Sequence, residues 1–361
     1  MKEQTVGTVI IACTALALLW ANSPFRASYE AIGAIHHIVN DGLMVLFFFV
    51  VGLEIKRELM DDSAAGRKHL MLPIVAALSG MLIPALIYMV FNIGTPQARG
   101  WAVPVATDIA FALGIIAFFS SRVPPALKLL VAAIAIADDL FSVVIIAVFY
   151  AKPIDVVWVT VAVAILVFVY YISRSSFSSV VLLVISGLAL WLCVLHSGIH
   201  ATVAGVAMAF VLPASSGLRK VEHSLQTVVN AAIVPLFVIV NAGVAIDASL
   251  LGAMNQPLSL GIVAGLLLGK PLGIVGAVWL ALRLRVAELP KTIAMKHIIA
   301  AGLMCGIGFT MSLFVADLAF DVESDLALAK ISILAASVLA AVLGSIALSR
   351  LPKLQSPLPT Q

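Results

Sequence analysis

The chain has 361 residues, of which 63% are hydrophobic and only 11% charged, with a formal net charge of +3 and a mean hydropathy of +1.16. That apolar share lies far above, and the charged share well below, what water-soluble domains use, which excludes a soluble enzyme. The small basic excess follows from where the lysines and arginines sit and gives no sign of nucleic-acid binding.

A hydrocarbon layer takes about 20 apolar residues per helix, and only helices or closed barrels satisfy their backbone hydrogen bonds inside it. The sequence breaks into runs of that length between clusters of Pro, Gly, Ser and basic residues. Twelve helical spans are predicted, at 5–21, 41–60, 70–91, 100–119, 126–149, 154–173, 178–195, 197–213, 225–245, 259–282, 297–316 and 327–349. The first is read as retained: its apolar run is long for a signal peptide, and Trp20 suits a membrane interface. Cys13, Cys193 and Cys305 all fall inside spans without metal-ligand spacing and read as small apolar residues.

With a cytoplasmic N-terminus, only Arg26, Arg99 and Lys152 fall on the outer side, and Lys270 and Lys330 lie within spans. The inner segments hold all the other basic residues, from Lys2, Lys56 and Arg57 to Arg350 and Lys353. The positive-inside bias therefore places both termini in the cytoplasm.

Sliding the chain against itself by 198 residues pairs Pro73 with Pro271, Ile109 with Ile307 and Phe111 with Phe309. The last two pairs lie in TDIAFALGIIA (107–117) and CGIGFTMSLFV (305–315). Repeat units at 70–149 and 259–349 are separated by an odd number of spans, so the second would be inverted relative to the first, a common transporter plan. Both matched segments also look like helices that stop midway. Thr107 and Asp108 follow Pro104 in mid-span, and Gly302, Gly306 and Gly308 weaken the other segment. Broken ends inside a membrane need burial or a wet cavity, and Asp108 would suit the positive N-terminal ends.

The fifth span, LVAAIAIADDLFSVVIIAVFY, holds Asp138 and Asp139 side by side with no other charge between Leu130 and Tyr150. A carboxylate at the bilayer centre is costly and marks function by default. Adjacent helical residues point about 100° apart, so the two have different tasks. Asp139 is assigned to a partly dehydrated Na+ or Li+, hard cations that prefer oxygen ligands. Asp138 is assigned to pairing with Lys270, while remaining a candidate ion ligand. Burial favours a protonated carboxyl and a bound cation favours an ionised one, so protons and sodium would compete for the same oxygens.

TDIAFALG (107–114), AIADDL (135–140), VGLEIKREL (51–59), SGIHATVAG (197–205), GKPLGI (269–274) and CGIGFTMS (305–312) occur in one order over nearly the whole chain. Together they resemble the NhaA family of bacterial sodium/proton antiporters. The resemblance implies an all-α polytopic membrane protein of twelve transmembrane helices, with inverted repeats and two interrupted, crossing helices. It implies Asp108 as the broken-helix aspartate, beside Thr107, Asp138 and Asp139 as the ion-site pair, and Lys270 as the functional lysine. The implied activity is electrogenic export of Na+ and Li+ in exchange for H+, activated at alkaline pH, in the bacterial inner membrane, for sodium and pH homeostasis. The only ions or cofactors implied are the transported ones.

Two features depart from the family pattern. Phe141-Ser142 follows the aspartate pair where Gly-Ala is usual, and the first outer loop is short for the strand hairpin through which some members form homodimers. Glu54, Lys56, Arg57 and Glu58 cluster at the inner end of the second span, with Glu222 and His223 before the ninth. They read either as an interfacial salt-bridge network or, by resemblance, as a cytoplasmic pH-response group. His200, beside Thr202, reads as a packing residue with a pH-response role as the alternative. Asp41 and Asp317 read as caps near outer ends.

Two rival classes need the same residue types. An intramembrane aspartyl protease would use Asp108 with Asp138 or Asp139, but it lacks a role for Lys270 and the expected Gly-x-Gly-Asp setting. A retinal receptor could use Lys270 as its Schiff base, but twelve spans fit it poorly. An ion-coupled symporter is the nearer alternative.

Overall fold

A computed structural model describes residues 3–60, 64–175, 177, 179–290 and 292–354, without the side chains of 3, 64–70 and 216. Lys2 and Lys291, both among the inner basic residues, lie outside the described residues.

The protein is an all-α polytopic membrane protein. Eight helices are long and apolar enough to cross a bilayer: Gln4–Ala21, Ile38–Leu59, Met71–Asn92, Pro96–Phe118, Pro125–Phe149, Gly217–Asn241, Pro257–Arg283 and Glu323–Ser349. Met295–Cys305 and Phe309–Ala319 make a ninth if taken as one span, bent by 44° at its break. Val156–Ile172 and Val180–His196 are shorter apolar helices.

The helix ends follow local chemistry. Asp155, Ser179, Ser215 and Asp247 each accept a hydrogen bond from a backbone N–H in the first turn they precede, satisfying donors that the helix leaves orphaned. Two prolines widen the backbone just ahead of them. Pro271 and Pro235 have no N–H to give the preceding turn, and Gly265–Gly269 and Val229–Ile233 are π-helical. The predicted span at 197–213 is the one that differs most. Its helix covers only Val203–Val211, because Gly198 sits at φ 86° and residues 197 and 198 give their carbonyls to Asp155 and Lys152, at 2.9 and 2.8 Å.

The chain divides into two compact units. Among the described residues, one contains 10–60 and 139–245; the other contains 3–9, 64–138 and 246–354. In the first, Met44–Leu59 packs on Val203–Val211 so closely that a Cβ on Gly205 would strike the Val45 carbonyl and one on Gly52 the Ala209 side chain. Small residues at such contacts let membrane helices approach where no hydrophobic drive separates them from lipid. Val156–Ile172 and Val180–His196 pack beside them around Val169, Leu190 and Met208.

In the second unit, Ala64–Asn92 packs along Lys270–Arg283 and Pro257–Ala264. Gly273 again marks the closest approach, since a Cβ there would strike the Ser79 carbonyl. Met295–Cys305 and Phe309–Ala319 both lie against Glu323–Ser349. This unit holds both interrupted segments.

Candidate functional site

Each interrupted segment stops for a reason visible in its residues. Pro96–Val105 is a 3-10 helix containing Pro104, and residues 106–108 carry no helical structure before Ile109–Phe118 begins. Ala106 and Asp108 are extended, at ψ 151° and 98°. In the other segment the helix ends at Cys305, and residues 306–308, Gly-Ile-Gly, intervene before Phe309.

The two breaks meet. The Asp108 amide donates to the Ile307 carbonyl at 2.7 Å, and the Thr107 hydroxyl donates to the Cys305 carbonyl at 2.9 Å. The Asp108 carboxylate serves the opposite polarity. Oδ1 accepts from the Phe111 amide at 2.8 Å, while Oδ2 accepts from the Thr310 hydroxyl at 2.6 Å and its amide at 3.1 Å. One anion thereby caps the N-termini of two half-helices, where the backbone dipoles are positive. Ser337 accepts from the Phe309 amide at 3.2 Å, and Ser312 donates to the Val103 carbonyl at 2.7 Å. The Phe111 and Phe309 rings meet at a tilt of 60°, their centroids 5.6 Å apart.

Lys270 follows the π turn directly, and its Nζ lies 2.5 Å from Asp138 Oδ2, with both side chains buried. An ion pair so fully desolvated costs several kcal/mol per charge before its attraction offsets the loss, so its retention points to use rather than to stability. Asp139, next on the same unbroken helix Pro125–Phe149, is buried at 1% exposure. Among the described residues no three His, Cys, Asp or Glu side chains gather into a metal-binding cluster. A hard cation at the aspartates would need its remaining oxygens from hydroxyls, carbonyls or water.

The chain matches the family described as Na+/H+ antiporter 1 over residues 1–348. Among curated proteins it is similar to the Na(+)/H(+) antiporter NhaA of Vibrio vulnificus, at 42% identity over 95% of this chain and 92% of that protein. The corresponding antiporter of Shewanella loihica is 42% identical over 97% and 95% of the two chains. That of Mesorhizobium japonicum is 42% identical over 97% and 93%. The chain belongs to the NhaA family of Na+/H+ antiporters. It is a transporter and not an enzyme, and its apolar helices place it in a membrane as a multi-pass protein.

The other polar residues singled out in the sequence fall into two groups within the first unit. Arg57 bridges Glu222 at 2.5 Å and Glu54 at 3.7 Å, with Glu222 nearly buried. Glu58 follows Glu54 by four residues on the same helix, about one turn along. His223, next to Glu222, is exposed. Lys56 turns away and donates to the carbonyls of Phe210 and Leu212 at the end of Val203–Val211. His200 belongs to the second group, roughly 20 Å away along the Ile38–Leu59 span at 1.5 Å per residue. Its Nδ1 meets the Thr202 hydroxyl at 2.8 Å and its Nε2 meets Asp41 at 3.3 Å. Asp41 also faces His37 at 3.6 Å, so it is more than an end cap.

Thr310 and Ser337 were not singled out in the sequence. Thr310 lies inside CGIGFTMS, where a hydroxyl one turn past a glycine break was the available signal. Ser337 sits among alanines in Glu323–Ser349 and carried none.

Proposed function

We propose that this chain exports Na+ and Li+ in exchange for H+, electrogenically and with activation at alkaline pH. The observation that carries the reading is the buried Asp138–Lys270 pair, one residue from a second buried carboxylate, Asp139, on a membrane-crossing helix. Asp139 supplies a charged oxygen to the cation. Asp138 releases Lys270 or holds it according to its own protonation, so that both can take part in proton exchange. Asp108 neutralises the two half-helix N-termini, and Thr107 the facing carbonyls, which lets broken backbone persist at membrane depth.

The same reading takes the eight long helices, the bent pair, the two shorter apolar helices and Val203–Val211 as twelve spans with both termini cytoplasmic. Units 70–149 and 259–349 are inverted repeats whose interrupted helices cross where Thr107 and Asp108 meet Cys305 and Ile307. The offset of the Thr107–Cys305 hydrogen bond equals the repeat offset read from the sequence, 198 residues, which supports it. The inner Glu54–Arg57–Glu222 group, with Glu58 and His223, forms the pH-responsive face, and His200 with Asp41 acts separately from it. Residues of the first outer loop are helical over Arg26–Ile32, so a homodimer would form through another surface. The membrane is the bacterial inner membrane.

Asp139→Asn tests the reading. In everted vesicles it abolishes Na+-dependent proton movement while the protein remains inserted and folded; exchange at wild-type rate would move the ion site elsewhere.

A further inference from the structure

Ser142 lies on Pro125–Phe149 three residues after Asp139 and four after Asp138. At 3.6 residues per turn, that spacing returns its side chain to the aspartates' side of the helix, one turn along. It is 3% exposed, and its Oγ has no hydrogen-bond partner among the described residues. A buried helical serine ordinarily donates to the carbonyl one turn back. Ser186 does so to Leu182 at 2.8 Å and Ser332 to Leu328 at 2.6 Å. Ser142 does not make that bond. A buried hydroxyl without a partner is destabilising, and replacing it by an apolar group is neutral or favourable. Something other than the protein's own polar groups must account for a serine here.

We propose that Ser142 supplies a neutral oxygen ligand to the cation held by Asp139 and helps set the preference between Na+ and Li+. This rests on Asp139 being the ion-binding carboxylate. Hard cations take hydroxyl and carboxylate oxygens alike, and they differ in how many oxygens they gather and at what distance. A hydroxyl does not ionise in the working pH range. It therefore adds to cation affinity without adding to the protons displaced, which separates its contribution from that of the aspartates.

The test is calorimetric titration of the purified full-length chain with NaCl and with LiCl at alkaline pH, recording protons released per cation bound. Ser142→Ala is expected to weaken Na+ binding roughly tenfold, as loss of a hydrogen-bond-strength contact to a charged group does, and to change the Na+/Li+ affinity ratio. Protons released per bound cation stay at the wild-type value, and thermal stability in Na+-free buffer is unchanged or higher. Ser142→Thr, which keeps the hydroxyl, retains binding. Wild-type affinities for both cations in Ser142→Ala would overturn the proposal, as would a loss of Na+-free stability with affinity intact, which marks a purely structural hydroxyl. Should the alanine variant fail to fold, Ser142→Cys keeps the volume, replaces a hard oxygen by sulfur, and is expected to show the same loss. Asp139→Asn is titrated alongside. If it still binds Na+, the underlying reading fails; if it does not while Ser142→Ala is silent, only the serine assignment fails.

Discussion

Asp108 and Thr310, 202 residues apart in the chain, are joined twice, by the Thr310 hydroxyl at 2.6 Å and its amide at 3.1 Å, both donating to Asp108 Oδ2. The remaining oxygen of Asp108 caps its own helix through the Phe111 amide. A single carboxylate thus closes two helix ends that begin partway along apolar spans.

Asp108→Ala is expected to destabilise the protein by about 2–3 kcal/mol, because it exposes two sets of orphan N–H groups to a medium that cannot solvate them. Asp108→Asn keeps one acceptor oxygen but turns the other into an NH2 donor facing a backbone N–H, so it loses one of the two caps together with the charge, about 1–2 kcal/mol. Thermal unfolding in detergent should therefore rank wild type above Asn above Ala, with transport falling in the same order. Equal, negligible effects would remove the capping argument.

The Lys270–Asp138 pair makes a different prediction, because truncating one partner leaves a buried charge alone. Lys270→Met is expected to cost about 3–5 kcal/mol unless Asp138 becomes protonated. Stability of that variant should then recover on acidification, when the carboxyl can neutralise. Lys270→Arg keeps the charge at every accessible pH and cannot carry a proton. Current recordings on proteoliposomes read the coupling: if Lys270 carries a transported proton, the arginine variant moves less charge per Na+ or shifts its pH profile.

Much of this arrangement was legible before the structure, and the reason is physical. A charge in a long apolar run is expensive, so Asp108, Asp138, Asp139 and Lys270 announced themselves by their surroundings. Helix-breaking residues made the two interruptions visible for a similar reason, since Pro104 and the Gly306–Gly308 stretch sit where a helix should continue. Neutral hydroxyls give no such signal. Thr310 and Ser337 are common in membrane helices, where they usually bond back to their own turn, and only coordinates reveal which backbone amide they reach. The 197–213 segment is apolar overall despite Ser197, His200 and Thr202, which predicts one span, yet the glycine at positive φ removes its first turns from the helix. Asp41 looked like a cap because nothing in the sequence places His200, 159 positions later, beside it.

Orientation can be read by chemistry at two exposed positions. In a chain whose native Cys13, Cys193 and Cys305 have been replaced, Ser121→Cys should react with impermeant thiol reagents only from the cytoplasmic side. Asn255→Cys, exposed at the end of the 3-10 turn before Pro257, should react only from the periplasmic side. Gly94 is the poorer outer site, since its φ of 79° would strain a cysteine. The reverse labelling pattern would overturn the orientation drawn from the lysines and arginines.

A site at which Na+ and protons share the carboxylates predicts a pH dependence whose sign can be worked out in advance. A carboxyl that holds a proton is neutral and offers a cation little, whereas a bound cation favours the ionised form. Each stabilises the state that excludes the other, so Na+ binding must release protons and protons must expel Na+, by the same coupling free energy. Lowering the pH should therefore weaken apparent Na+ affinity, up to about tenfold per pH unit for each proton displaced. Raising it should strengthen binding until the supply of protons limits turnover, so exchange is expected to be low in acid and to rise toward alkaline pH. Asp139→Asn should abolish the effect together with binding. The measurement is proton release from purified protein on adding Na+ or Li+ across a pH series, with affinity read from the same titrations. A wild-type protein that bound Na+ equally well in acid and alkali, releasing no protons, would contradict a shared site, because two ligands that never exclude one another cannot be exchanged through the same oxygens.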